Sequence, residues 1–229
     1  MHIQSHKNTH FAHLLHMLPP VNVAEGPWIT GGCARKLYDQ LDWHKGDVDV
    51  FFSSAQQRSE WLTEFDKTWN YTHWRHSGPT SVANQISNIF QLEINPPTPK
   101  NVPQAEVFME TENATTFHLF YKLPDGSTAP TVKLQVIKVR QATSLTELWQ
   151  EFDFHVCCFA ADARYVICTP EAKQSADDRM LTVNSQAHNK NLPLRTMKYV
   201  SQGFDVHPDQ LLQAFEQICD GDCEWEQSY

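Results

Sequence analysis

Phe11, Leu14, Leu15 and Leu18 recur at helical spacing, and Pro19-Pro20 stops the helix they predict. Trp28-Ile29-Thr30 reads as a short strand entering a glycine turn, with a helix from Cys33 to Leu41 beyond it. Asp47 to Phe52 then alternates. Val48, Val50 and Phe52 point to one side as a core face, and Asp47 and Asp49 point together to the other. Ser53 and Ser54 each precede a Gln by three residues, a capping-box pattern, and Trp61, Leu62, Phe65 and Trp69 follow as one apolar stripe. Ile86, Phe90, Leu92 and Ile94 predict a strand ahead of Pro96-Pro97, and the proline-rich stretch over 95–107 predicts an extended loop.

Phe117 to Leu123 alternates again, Pro124-Asp125-Gly126-Ser127 forms a turn, and Val132 to Val139 returns, which together predict a β-hairpin. Ser144 and Glu147 cap a helix carrying Leu145, Leu148, Trp149 and Phe152. Asp153 to Ala160 is read as an apolar strand that pairs with Arg164 to Cys168. Thr169-Pro170 opens another helix, with Pro at its favoured first position. Leu194 to Gln202 predicts a helix stopped by Gly203, and Pro208 opens a last one with Leu211, Leu212, Phe215 and Ile218 ahead of an acidic tail. The expectation is an α+β fold. A mixed β-sheet flanked by helices occupies residues 1–168, with an N-terminal helix, and a helical C-terminal segment over 169–229 packs on that core.

The composition supports a packed interior, since seven Trp and thirteen Phe are foreign to disordered chains. A formal net charge of −9 argues against a protein that coats nucleic acid, which needs a basic excess. No apolar run approaches the roughly 20 residues of a membrane span, and the N-terminus lacks a signal-peptide core, so a cytoplasmic protein is expected. Cys157, Cys158 and Cys168 sit inside apolar patterns, which fits a reducing compartment better than a disulfide framework.

The chemistry concentrates in two neighbouring stretches, Ile29-Thr30-Gly31-Gly32-Cys33-Ala34-Arg35 and Gly46-Asp47-Val48-Asp49-Val50. Glycine lets a backbone approach a phosphate closely and take positive φ, so Gly31 and Gly32 are candidates to cradle one. Asp47 and Asp49 repel one another unless a cation lies between them, and Asp is a poor strand former that needs a reason to recur in an apolar strand. A pair of Mg²⁺ (or Mn²⁺) ions is the usual resolution, and such ions imply phosphate chemistry.

The Gly-Gly turn followed by an Asp-x-Asp strand resembles the nucleotidyltransferase superfamily, the DNA polymerase β-like fold, closely over residues 28–52 and more loosely over 131–205. The resemblance implies that Gly31 and Gly32 hold the triphosphate of an ATP-like NTP and that Asp47 and Asp49 bind two metals. It also implies a third carboxylate on a neighbouring strand, for which Asp153 is chosen and Glu93 is the competitor. Lys133 and Gln135 lie on one face of the hairpin's second strand, where family members carry an aspartate or a phosphate-contacting lysine; Gln135 departs from that pattern. Arg35 either meets phosphate or pairs with Asp39 four residues on. Arg195-Thr196-Met197-Lys198-Tyr199, followed by Gly203-Phe204, resembles a C-terminal helix of virus- and phage-type relatives. Arg195 and Lys198 are then candidates for triphosphate contact and Tyr199 for base stacking.

Zinc is a weaker alternative. His10, His13 and His16 recur every three residues and Cys219 and Cys223 lie close together, but they do not make paired ligand modules. The function expected is transfer of a nucleoside monophosphate from an NTP to an acceptor hydroxyl, the acceptor being RNA or tRNA, protein or a small molecule. The alternative is a non-catalytic nucleotide-binding or regulatory protein that retains the fold.

Overall fold

The computed structural model describes residues 1–72, 102–184 and 192–209, together with Leu212. The elements run β1 (His2–Ser5), α1 (Thr9–Met17), β2 (Trp28–Thr30), α2 (Gly32–Tyr38), β3 (Asp47–Phe52), α3 (Ala55–Thr68) and β4 (Asn70–Thr72). They continue as β5 (Gln104–Glu110), β6 (Ala114–Phe120), β7 (Val132–Gln141), α4 (Leu145–Gln150), β8 (Phe159–Ala161), β9 (Tyr165–Cys168), α5 (Pro170–Asp177), β10 (Met180–Leu181), α6 (Leu192–Val200) and β11 (Asp205–Val206).

Among the described residues nine strands form one sheet in the order β1-β9-β8-β2-β3-β7-β6-β5-β4. The β3–β7 and β4–β5 pairs are parallel and the others antiparallel, so the sheet is mixed and the class is α+β. β3 sits at the middle of this order, the most sheltered place for a strand that must hold two carboxylates in fixed positions. Its register against β2 sets Trp28 opposite Phe51 and Thr30 opposite Asp49. Its register against β7 sets Asp47 opposite Lys133 and Asp49 opposite Gln135.

Local chemistry explains why the elements fall where they do. Asn8 accepts from the Phe11 amide at 2.9 Å and starts α1. Ser54 caps α3 by accepting from the Gln57 amide at 3.0 Å, and Gln57 Oε1 reaches back to accept from the Ser53 amide, one residue before the cap, at 2.8 Å. One face of α3 stacks Trp61, Phe65 and Trp69, with ring centres 5.5 and 5.6 Å apart, against Phe52 and Phe117 of the sheet. The indole N–H groups of Trp61 and Trp69 donate to the carbonyls of Pro19 and Met17, which satisfies two polar groups in an apolar layer.

The hairpin forms as its alternation predicts, with Phe117 paired to Leu134. The strand expected from Asp153 to Ala160 does not form. The chain passes through a 3-10 turn at His155–Cys157 and only Phe159–Ala161 joins the sheet. The apolar run there is dictated by burial in the core rather than by strand periodicity. After Thr169 the chain holds α5 and α6, and also a short parallel pair, β10 with β11. Gly203 takes φ +85° just after α6, the left-handed stop its position predicts. The expected strand over 86–94 with Glu93, most of the last helix, and Cys219 and Cys223 lie outside the described residues. No described helix is long and apolar enough to cross a membrane.

Candidate functional site

A cleft of about 300 Å³ opens beside the centre of the sheet. The alternation of β3 builds its floor, because Asp47, Asp49 and Phe51 face the cleft while Val48 and Val50 are fully buried behind them. The end of β2 and the start of α2 build one wall. Gly31 takes φ +92° and ψ −140°, a conformation side chains rarely adopt, and a Cβ placed on it would stand 3.8 Å from Asp49 Oδ2. Gly32 has ordinary φ and open space around it, so its lack of a side chain leaves the cleft unobstructed rather than relieving strain.

The turn is anchored from beneath. Gly31 N–H donates to the Phe159 carbonyl at 2.8 Å. The buried Thr30 hydroxyl donates to the same carbonyl at 2.6 Å and accepts from Trp149 Nε1 at 2.9 Å. The glycine turn is therefore a fixed feature of the fold rather than a loose connection.

Asp49 carries the most perturbed acid on the cleft floor. Burial first, and the neighbouring Asp47 second, push its carboxyl up to about 7, against opposing pulls from Lys198, Arg195 and Lys133. Asp47 is partly neutralised by Lys133, whose Nζ lies 3.1 Å from its Oδ1. Lys133 thus faces Asp47 rather than the cleft, whose lining includes neither it nor Gln135.

The other wall comes from α6, which presents Arg195, Lys198 and Tyr199, more than 140 residues from β3 in sequence. Lys36 joins them from α2, one helical turn beyond Gly32. Burial and the adjacent Arg35 guanidinium hold its ammonium below the usual lysine range. It lies over the Gly46 backbone, where a Cβ would come within 2.8 Å of Nζ. Among the described residues neither Lys36 nor Lys198 is in an ion pair.

Four predicted residues have other partners. Asp153 is nearly fully buried, outside the cleft lining, and its carboxylate takes Arg195 Nε at close range and Nη2 at 3.0 Å. It sits where the 3-10 turn begins instead of on a strand beside β3, so it does not join Asp47 and Asp49. Among the described residues no three His, Cys, Asp or Glu side chains converge to hold a metal. Arg195 accordingly reaches the cleft with much of its guanidinium committed to Asp153. For Arg35 the ion-pair alternative is the one seen. Its Nη1 donates to Asp39 at 2.7 Å and its Nη2 to Gln202 at 2.9 Å, and it packs over the Phe204 ring. Arg35 is only 2% exposed and ties α2 to the chain after α6. Tyr199 shares a 2.9 Å contact with the Cys157 sulfur and is buried, which pushes its hydroxyl well up from the ordinary value.

Sequence reasoning missed Lys36, Arg140, Phe152 and Cys157, all of which line the cleft. The spacing of Lys36 from Gly32 was a usable signal; nothing in the local pattern marks the others.

The donor set suits a hard cation to the extent of two carboxylates, Asp47 and Asp49, on a rigid strand beside unpaired lysines. The same geometry suits an anion held above that cation. No curated protein matches the chain at a significant level. Among solved structures, the apo form I of a CCA-adding enzyme is similar, with a TM-score of 0.43 and 13% identity over 83% of this chain. The chain spans 38% of the length of that enzyme chain. A family model matches residues 4–179, most of the chain, and on that match the chain belongs to the Gabija anti-defense 2 family.

Proposed function

We propose that the cleft binds a nucleoside triphosphate with a divalent cation and transfers its nucleoside monophosphate to an acceptor hydroxyl. The observation that carries this reading is the placement of Asp47 and Asp49 on one face of β3, directly beside Gly31 at positive φ, with Lys36 and Lys198 across the cleft and in no ion pair among the described residues. Asp47 and Asp49 would hold Mg²⁺ or Mn²⁺, which on binding neutralises phosphate charge and lowers the pKa of a bound hydroxyl. The glycine turn admits the polyphosphate close to the backbone, and Lys36 and Lys198 balance its charge. Arg195, fixed by Asp153, orients whatever lies against α6. In the transfer the acceptor oxygen bonds to the α-phosphorus, the α–β bridging bond breaks, pyrophosphate leaves with the electron pair, and the hydroxyl proton passes to solvent. Positioning and charge balance supply most of such catalysis.

The family name suggests the biological setting: the chain counters the Gabija defence, and the transferred nucleotide is the means. The test pairs two measurements. Purified protein is incubated with each labelled NTP, Mg²⁺ or Mn²⁺ and cell extract, and pyrophosphate and labelled product are followed. The Asp47→Asn/Asp49→Asn double variant is then compared with the parent for relief of Gabija protection at matched abundance. Loss of both product and relief in the double variant supports the reading.

The engagement of Asp153 by Arg195, away from the Asp47–Asp49 pair, favours one alternative, a protein that binds nucleotide without turning it over. Relief that survives in the double variant, with no pyrophosphate release from either form, would select it.

A further inference from the structure

Strand β7 breaks its alternation at one place. Val50 of β3 pairs with Val136, but Phe52 pairs with Gln141, an advance of two residues on β3 against five on β7. Up to that point Lys133 and Gln135 share the face of Asp47 and Asp49, and Val132, Leu134 and Val136 share the core face. Unbroken alternation would send Arg140 to the core face with those apolar residues. The bulge re-aims it, and Arg140 instead lines the cleft.

Its guanidinium carbon lies 5.9 Å from the centre of the Phe152 ring, and Phe152 packs on Phe51 at 5.6 Å. The aromatic face supports the cation and leaves its N–H edge for another group. Among the described residues no carboxylate pairs with Arg140. A half-buried guanidinium that is steered into a cleft and left without an anion is built to receive one.

The register tells which end of the cleft it serves. Thr30 lies opposite Asp49 and Trp28 opposite Phe51, so the glycine turn that follows Thr30 lies toward the Asp47 end. Arg140 stands beside Phe51 and Phe52, roughly 7 Å past Asp49 in the other direction, two strand residues on. A polyphosphate at the glycine turn, with Lys36 and Lys198, leaves Arg140 facing whatever approaches from the opposite end.

We propose that Arg140 binds a phosphate carried by the acceptor, so that the acceptor is a nucleotide-class phosphate ester presenting a sugar hydroxyl to the Asp47–Asp49 pair. This rests on the nucleotidyl-transfer reading above. Arg presents a planar fork that matches two phosphate oxygens, a fit Lys does not reproduce. In a nucleotide the 5′-phosphate and 3′-hydroxyl flank a single ribose, a span that suits the step from Arg140 to Asp49. A Ser, Thr or Tyr side chain of an unmodified protein carries no phosphate for that fork.

The test is equilibrium dialysis of a labelled nucleoside 5′-monophosphate against the whole chain, with Mg²⁺ and a saturating non-hydrolysable NTP analogue. Labelled nucleoside and inorganic phosphate serve as separate arms. The proposal predicts that the monophosphate binds with the analogue already in place, and that nucleoside and phosphate each bind more weakly. Arg140→Ala should weaken the monophosphate about 10- to 100-fold, the worth of a charge-assisted bond, and Arg140→Lys should fall between. Analogue affinity and the urea midpoint should stay at parental values in both variants. Monophosphate binding that is absent, or unchanged in Arg140→Ala, overturns the inference while leaving the transfer reading standing. Equal losses of analogue and monophosphate also overturn it, by assigning Arg140 to the NTP. Failure of the parent chain to bind the analogue at all overturns the transfer reading and this inference together.

Discussion

Replacing Asp49 by Asn should stabilise the metal-free protein, by an amount that grows with pH. The Asp49 carboxyl rises from an ordinary 3.8 to about 7 in the folded chain, because ionising it there means burying a charge next to Asp47. A carboxyl raised on folding favours the native state only while it stays protonated. That contribution is whole below the unfolded-state value and is lost as pH climbs through the folded one. Linkage between those two values gives a cost of about 2 kcal/mol at pH 5, about 3 at pH 6 and about 4 at pH 8. These are ceilings, since Asp49 keeps some contact with solvent. Asn is nearly isosteric and carries no charge, so Asp49→Asn removes the cost. For a chain of this length about 4 kcal/mol corresponds to a rise in Tm of roughly 8 to 16 °C. Thermal and urea unfolding of both proteins in chelator, from pH 5 to pH 8.5, reads the difference directly. Saturating Mn²⁺ should shrink it at pH 8 by stabilising the parent alone. A variant less stable than the parent at pH 8, or a difference that does not move with pH, would refute the argument that Asp49 is held at the expense of folding.

Four further outcomes follow from the same geometry. Gly31→Ala should cost about 1–3 kcal/mol in urea unfolding because φ +92° with ψ −140° is strained for any side chain, whereas Gly32→Ala, in open space, should fold normally and weaken NTP-analogue binding. Thr30→Val should cost about 1–3 kcal/mol, since it strands the buried Trp149 Nε1 and leaves the Phe159 carbonyl with the Gly31 N–H alone, and should weaken analogue binding by loosening the turn. Arg195→Ala should destabilise by an amount near the low end of the roughly 3–5 kcal/mol of a broken buried pair, because the Arg195 side chain is 40% exposed while Asp153 is not. Asp153→Asn should leave Mn²⁺ affinity close to the parent value by titration calorimetry, where a direct ligand would lose it.

Much of this architecture was legible because periodicity reports burial. The Asp47-x-Asp49 strand, the α3 stripe and the hairpin each alternate or repeat in register with the core they face. Asp153 shows where that reasoning stops. Its apolar neighbours fit a strand, but nothing near it in sequence reveals that its partner is Arg195, 42 residues on. Arg140 is the converse case, since regular alternation points it away from the cleft and only the tertiary bulge of β7 turns it back. Lys36 was within reach of the sequence, because it lies one helical turn from Gly32 on the helix that the glycine turn opens. Arg35 is instead consumed by Asp39 and Gln202, a choice set by long-range packing of the chain after α6.

The central claim is that Asp47 and Asp49 jointly grip a divalent cation beneath a polyphosphate lying on the glycine turn. Crystals grown with Mn²⁺ and a non-hydrolysable NTP analogue test it through anomalous scattering. The account predicts a manganese peak within roughly 2.0 to 2.2 Å of oxygens from both carboxylates, with phosphate density over Gly31 and Gly32. Manganese bound elsewhere, or an analogue seated away from β3 with Asp47 and Asp49 both free of metal, would contradict it.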